Sequence, residues 1–138
     1  MSQGSWVKGE ETDMSKSLND LEVYREAMRL GEIVWGWVVN WKPLAQDTTG
    51  KQFIRAIDSI AANISEGHGR YHYKENLKFC YYSRGSLDES MTWLEKAATR
   101  QLVEAETARQ LYRDLESLRK RLNAYIKSIG QKSATHDS

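Results

Sequence analysis

The 138-residue sequence predicts an all-α fold, an antiparallel up-and-down four-helix bundle. Three observations carry this expectation. One proline and nine glycines leave long spans free of helix breakers. Apolar residues recur at three-and-four spacing in four separate stretches, and no period-two alternation runs long enough for a strand. The segments between the stretches are short, so consecutive helices must fold back side by side, with crossing angles of about 20°.

Residues 1–17 are polar and acidic toward Glu10, Glu11 and Asp13, with too few apolar side chains to offset the entropy of ordering them. They read as a flexible N-terminal tail. The bundle spans residues 18–130. Its first helix starts after Ser17 or Asn19, both good N-caps, with Asp20 and Glu22 in the first turn, where the helix dipole favours negative charge. Tyr24, Ala27, Met28, Val34, Val38 and Trp41 form one stripe, and Trp35 and Trp37 lie beside it. A helix apolar around that much of its girth has two neighbours, within the fold or across a subunit interface. Pro43 ends it, because the residue before a proline is pushed out of the α region.

Residues 42–50 read as a connection, with Asp47, Thr48 and Thr49 as caps for a second helix carrying Ile54, Ile57, Ile60 or Ala61, and Ile64 on one face. Gly67 is placed to end that helix in the left-handed conformation, with Gly69 in the turn. A third helix begins near His72 to Lys74. Its seam, Leu77, Cys80, Arg84, Leu87, Met91, Leu94 and Ala98, is interrupted only by Arg84. The fourth follows Gln101 to Glu104 and keeps an unbroken seam from Ala108 through Leu111, Leu115, Leu118, Leu122 and Tyr125 to Ile129. Gly130 stops it, leaving residues 131–138 as a flexible C-terminal tail.

Composition narrows the function classes. With 40% hydrophobic and 28% charged residues the chain has an ordinary globular balance, and its formal charge of +1 excludes a global basic field that would attract nucleic acid or an anionic membrane from any side. A lone cysteine, Cys80, excludes an internal disulfide and reads as a small core residue in a reducing compartment. No apolar run approaches the roughly 20 residues of a membrane helix, and the N-terminus lacks a secretory apolar region. The expectation is a cytoplasmic protein without a membrane partner.

From Ile57 to Glu89 polar residues collect where core residues would be expected. Ser59-Ile60-x-x-Asn63-Ile64-x-Glu66-Gly67-x-Gly69-Arg70 is followed by Gly85-Ser86-Leu87-x-Glu89. Gly85 and Ser86 in mid-helix cost helix propensity, about 1 kcal/mol for glycine relative to alanine, which close approach of another backbone would offset. Asn63 and Glu66 share a face, Arg70 and Arg84 are natural partners for Glu66, and Glu89 can reach Asn63 or Arg70. Such a cluster would fix helix register within the bundle or across subunits, since buried charge must be paired.

On these two motifs, residues 20–128 resemble the four-helix bundle protein family known from reading frames inside intervening sequences of bacterial large-subunit ribosomal RNA genes. The chain departs from that pattern at Ala61, where proline is usual, and at His72, where serine is usual. The resemblance implies a left-handed up-and-down bundle, assembly into a ring-like homopentamer, and no established enzymatic activity. It also implies a distant relation to the accessory variability determinant of diversity-generating retroelements, a basic pentamer that serves a reverse transcriptase and its RNA.

No residue set for catalysis is visible, and no cofactor loop. His68 and His72 are four apart with Glu66 and Glu75 near, a ligand spacing on a continuous helix, but Gly67 and Gly69 interrupt it, and no metal is expected. Two stretches are locally basic. Arg70, Lys74, Lys78 and Arg84 interleave with Tyr71, Tyr73, Tyr81 and Tyr82, and Arg119, Lys120, Arg121, Lys127 and Lys132 lie in a run without acids. Cations beside aromatics suit phosphates and unstacked bases. The leading expectation is a non-enzymatic, ring-forming interaction or scaffold protein, with Trp35, Trp37 and Trp41 as interface anchors. The alternative is an RNA-binding accessory factor, as for a reverse transcriptase, that uses Arg70, Lys74, Lys78, Arg119, Lys120 and Arg121.

Overall fold

Val23, Ala27, Leu30, Val34 and Val38 fall on one side of a helix, and burying that side makes α1, Glu22–Val38. The computed structural model describes residues 17–18 and 21–136. Most of the expected N-terminal tail, with Asn19 and Asp20, lies outside the described residues. Leu21 is the N-cap of α1 and makes no side-chain cap; its N–H donates to the Leu18 carbonyl at 3.1 Å. Of the two expected caps, Ser17 therefore does not start this helix, and Asn19 lies outside the described residues.

Pro43 does not end α1. The helix stops at Val38, and Gln46 Nε2 donates to the carbonyls of Val38 and Val39 at 3.0 and 3.2 Å, satisfying acceptors that a helix end leaves open. Pro43 instead opens a short helix, α2, Pro43–Ala45, at a first-turn position where its missing N–H costs nothing. A π-helical turn, Gln46–Gly50, carries α2 into α3, Lys51–His68, so the expected connection is helical. Two tertiary contacts explain it. The wide turn places Thr49 and Gly50 inward together. Arg100 Nη1 donates to Thr49 Oγ1 at 2.6 Å, and Gly50 lies so close to α1 that a Cβ there would stand 2.6 Å from Val38 Cγ1.

Along α3 the buried side chains are Phe53, Ala56, Ile57, Ile60, Ala61 and Ile64; Ile54 is only half-buried, because Phe53 takes the inward position. Gly67 is not a left-handed terminus. It is buried inside the last turn, and the cap is Gly69 at φ −80°. The next helix, α4, Tyr73–Thr99, starts at the expected place on His72, which makes no side-chain cap.

The buried line of α4 is Asn76, Cys80, Ser83, Leu87, Ser90, Leu94 and Ala97. It shares Cys80, Leu87 and Leu94 with the expected seam and differs by one position at every other step. Ser83 takes the place assigned to Arg84, and its hydroxyl donates to the Ile60 carbonyl at 2.8 Å, so a small polar side chain is satisfied where α3 approaches. The last helix, α5, Ala105–His136, buries the expected Ala108, Leu111, Leu115, Leu118, Leu122 and Ile129, with Ile126 buried beside a half-buried Tyr125. It passes through Gly130, six residues beyond the expected stop. Ile126, Ile129 and Ser133 continue the buried line at three-and-four spacing, which outweighs one glycine.

Between α4 and α5 the chain turns at Gln101, whose φ of 60° is left-handed. The Leu102 N–H reaches the Ala97 carbonyl at 2.9 Å and the Gln101 N–H the Ala98 carbonyl at 3.0 Å, which together make a Schellman stop with glutamine in the place glycine usually fills.

Cross-helix contacts set direction. Ile60 meets Ser83 and Gly67 meets Asn76, so advancing seven residues on α3 means retreating seven on α4. The pairs Glu22–Arg121 at 3.3 Å and Arg29–Asp114 at 3.2 Å impose the same relation on α1 and α5, as Gly31 against Asp58 and Val38 against Gly50 do on α1 and α3. Four long helices thus alternate up and down, and the packing pairs α1–α3, α3–α4, α4–α5 and α5–α1 close an all-α bundle around one core.

Candidate functional site

The polar stretch from Ile57 to Glu89 is a joint between α3 and α4, but its parts do not form one cluster. Arg70 Nη2 contacts Glu66 Oε2 at 2.5 Å and Arg70 Nη1 lies 3.9 Å from Glu75 Oε1, with all three side chains substantially exposed. Arg84 points the other way. It donates to Asn123 Oδ1 of α5 at 2.8 Å and covers the Tyr81 ring at 5.1 Å. Asn63 Nδ2 donates to the Ser59 carbonyl at 2.9 Å, and Glu89 accepts from Trp93 Nε1 at 3.3 Å. The expected link of Glu66 to Arg84, and of Glu89 to Asn63 or Arg70, is therefore corrected. Arg84 and Glu89 stand about two and about three and a half turns of α4 beyond Asn76, which faces the Glu66 end of the joint, because α4 retreats as α3 advances.

The glycine roles are also exchanged. A Cβ on Gly67 would lie 2.6 Å from Asn76 Oδ1, 2.9 Å from Phe79 Cβ and 3.0 Å from the Asn76 carbonyl oxygen, so Gly67 is the residue that lets α3 and α4 meet. Gly85, expected to permit that approach, is exposed and would place a Cβ with nothing within 4 Å; Ser86 is half-buried, its carbonyl accepting from Ser90 Oγ at 2.8 Å. Beneath the joint Cys80 is fully buried, and burial pushes its thiol up to about 11. Its Sγ lies 3.6 Å from Asn76 Oδ1.

Ion pairs occupy much of the expected basic surface. Arg119 Nη1 meets Asp88 at 2.6 Å, and Arg121 holds Glu22. Arg70 is paired and also sits over the Phe79 ring at 4.9 Å. Lys74 and Lys78 remain on the outer face of α4 with no ion pair among the described residues, Lys78 5.4 Å from the Phe79 centroid. Tyr81 and Tyr82 are half-exposed on the same face, one turn before Gly85, and Tyr71 is 91% exposed at its start. Lys120 is exposed on α5.

Of the three tryptophans, Trp37 turns inward, edge-on to Phe53 at 6.2 Å, and Trp41 packs against the core near Gly50. Trp35 alone projects outward, 53% exposed, in line with Met28 and Val39; Leu44, 78% exposed, follows on α2. Gly36, in the last turn of α1 and next to Trp35, would place a Cβ in open space.

Beside this stripe α1 and α3 bound a groove of about 330 Å³, lined by Tyr24, Met28 and Glu32 on one wall and Asp58, Ala62 and Ser65 on the other. Partial burial, with Glu32 as a second source of negative charge, raises the Asp58 carboxyl above the usual range. Neither carboxylate has an ion pair among the described residues. The sequence reading missed this groove. Glu32 and Asp58 are far apart in the chain, and only the α1–α3 register makes them neighbours.

A family model described as 23S rRNA-intervening sequence protein matches residues 19–124. Among solved structures, a protein of unknown function from the S23 ribosomal protein family of Bacteroides thetaiotaomicron is similar over 76% of this chain and 95% of its own, at 20% identity and a TM-score of 0.68, which shows the shared fold. A comparison with curated proteins finds no match. With the family model covering all but the ends of the bundle, and both motifs on the joint it folds around, the chain belongs to the 23S rRNA-intervening sequence protein family.

Proposed function

We propose that the protein is a non-enzymatic interaction protein that works by assembling copies of itself into a ring, in the cytoplasm, as a scaffold for other partners. The observation that carries this reading is the apolar stripe of α1, with Met28, Trp35 and Val39 at helical spacing and Leu44 beyond them, which is left exposed among the described residues. Large apolar side chains aligned on one exposed face mark a contact surface, and an aromatic anchor such as Trp35 is the commonest energetic centre of one. The pentameric assembly implied by the family resemblance agrees with it. Light scattering on the full chain tests the reading. A mass of several protomers, about five for the pentamer, is expected at micromolar concentration, and a monomer there would overturn it.

A second reading, an RNA-binding accessory factor of the kind that serves a reverse transcriptase, is favoured by Lys74 and Lys78 beside the half-exposed Tyr81 and Tyr82. It is weakened because Arg70, Arg119 and Arg121 are engaged by acids of the same chain. Filter binding to structured RNA at two salt concentrations separates the readings, because phosphate contacts lose affinity steeply as salt rises.

A further inference from the structure

The bundle exposes two faces whose chemistry is opposite. The first is the α1–α3 groove, with the carboxylates of Glu32 and Asp58 and, continuing along α1, the apolar Met28, Trp35 and Val39. The second is the outer face of α4, with the ammonium groups of Lys74 and Lys78 and the rings of Tyr81 and Tyr82. Each face also borders a helical glycine, Gly36 in the last turn of α1 and Gly85 in the interior of α4, at which a Cβ would meet nothing within 4 Å among the described residues. Helix-interior glycine costs about 1 kcal/mol relative to alanine. At Gly67 and Gly50 contact with neighbouring atoms explains the glycine; at Gly36 and Gly85 no described residue of the protomer comes close enough to do so.

The two faces are not on the same side of the molecule. The packing pairs run α1–α3–α4–α5 and back to α1, which sets α4 diagonally across the bundle from α1. One copy therefore cannot bring its own acidic groove onto its own basic face. Two copies can, and the pair then keeps one unused face of each kind, a groove on one copy and an α4 face on the other, for the next copies. Such a head-to-tail contact closes a ring when the rotation between copies closes, whereas a two-fold dimer uses one self-complementary patch.

Resting on the self-assembly reading above, we propose that the interface between copies is head-to-tail, the α1–α3 groove of one copy receiving the α4 outer face of the next. Lys74 or Lys78 of the incoming copy reaches Asp58 and Glu32. Tyr81 and Tyr82 lie against Met28 and Trp35, and Gly36 and Gly85 let the two helices approach. Partial burial against a neighbour is the setting in which such a charge pair contributes most to choice of partner and register.

The test is charge reversal in the full chain, read by light scattering across a concentration series, with circular dichroism to show that each variant is folded. Asp58→Lys and Lys78→Glu are each expected to weaken association roughly tenfold or more, and the double variant to recover most of the loss, since close charge pairs across interfaces couple by about 1.5 kcal/mol or more. Glu32→Lys, on the exposed side of α1, is a second probe if Asp58→Lys disturbs the contact with Gly31. A monomeric wild-type chain removes the assembly reading and this pairing together. An oligomer of unchanged mass and affinity in both single reversals, or a double variant no better than the singles, overturns the pairing and leaves assembly standing. If Lys78→Glu abolishes binding of a labelled single-stranded RNA while association is unchanged, the α4 face belongs to RNA and the pairing is likewise overturned.

Discussion

Gly67 lies directly under Asn76: a Cβ added to it would stand 2.6 Å from Asn76 Oδ1 and 3.0 Å from the Asn76 carbonyl oxygen. The family motif thus centres on a backbone contact that only glycine permits, with the exposed Glu66–Arg70 pair beside it as a minor addition.

Gly67→Ala and Gly85→Ala should move stability in opposite directions. The first forces α3 and α4 apart and should cost about 1–3 kcal/mol in urea denaturation. The second adds a methyl in open space and removes a helix-interior glycine, so the protomer should gain about 0.5–1 kcal/mol.

Glu66→Gln should change stability by less than about 1 kcal/mol. Glu66 and Arg70 are 53% and 39% exposed, and ion pairs four apart on a wet helix surface are worth little. A melting temperature lowered by ten degrees or more would show that the pair does more than the protomer reveals.

Gln101→Gly should stabilise the chain by about 0.5–1 kcal/mol. Gln101 holds a left-handed φ of 60° inside a Schellman stop, a conformation glycine adopts without strain. Thermal unfolding of the variant checks it.

Thr49→Val should cost about 1–2 kcal/mol. It removes the acceptor of Arg100 in a buried position and leaves the guanidinium one partner short where the π-helical turn meets α4.

Alkaline stability should carry a Cys80 component. The thiol is raised from 9.0 to about 11 in the folded chain, so the folded state holds its proton more tightly than the unfolded one. Its contribution is complete below pH 9 and lost as pH rises toward 11, a slope worth about 2–3 kcal/mol at most. Cys80→Ala should remove that slope from denaturation curves measured between pH 8 and 11. For the same reason the thiol should resist alkylation at pH 8 in the native state.

What the sequence by itself determined is the fold: four helices, their order and their antiparallel sense. The repeat of apolar residues in α5 and the short turns after His68 and Thr99 leave no other arrangement that buries them. Where the spacing was ambiguous it misled by one position, as in placing Arg84 rather than Ser83 in the α4 seam. Periodicity cannot tell that a serine hydroxyl finds the Ile60 carbonyl across the interface, and so can be buried. Of the expected charge pairings the local one, Glu66 with Arg70, forms, while the link of Glu66 to Arg84 fails for the same reason. The cross-helix partners of Arg84, Arg119 and Arg121 are Asn123, Asp88 and Glu22, chosen by inter-helix register, although Arg119 also has Glu116 at 3.6 Å on its own helix. Tertiary structure alone decided that Gly67 is a contact and Gly85 is open, that residues 42–50 wind into a π-helical turn around Thr49, and that Glu32 and Asp58 share a groove. Each of these depends on which atoms of a second helix arrive at a given point, and local spacing constrains a helix's own faces without saying what will meet them.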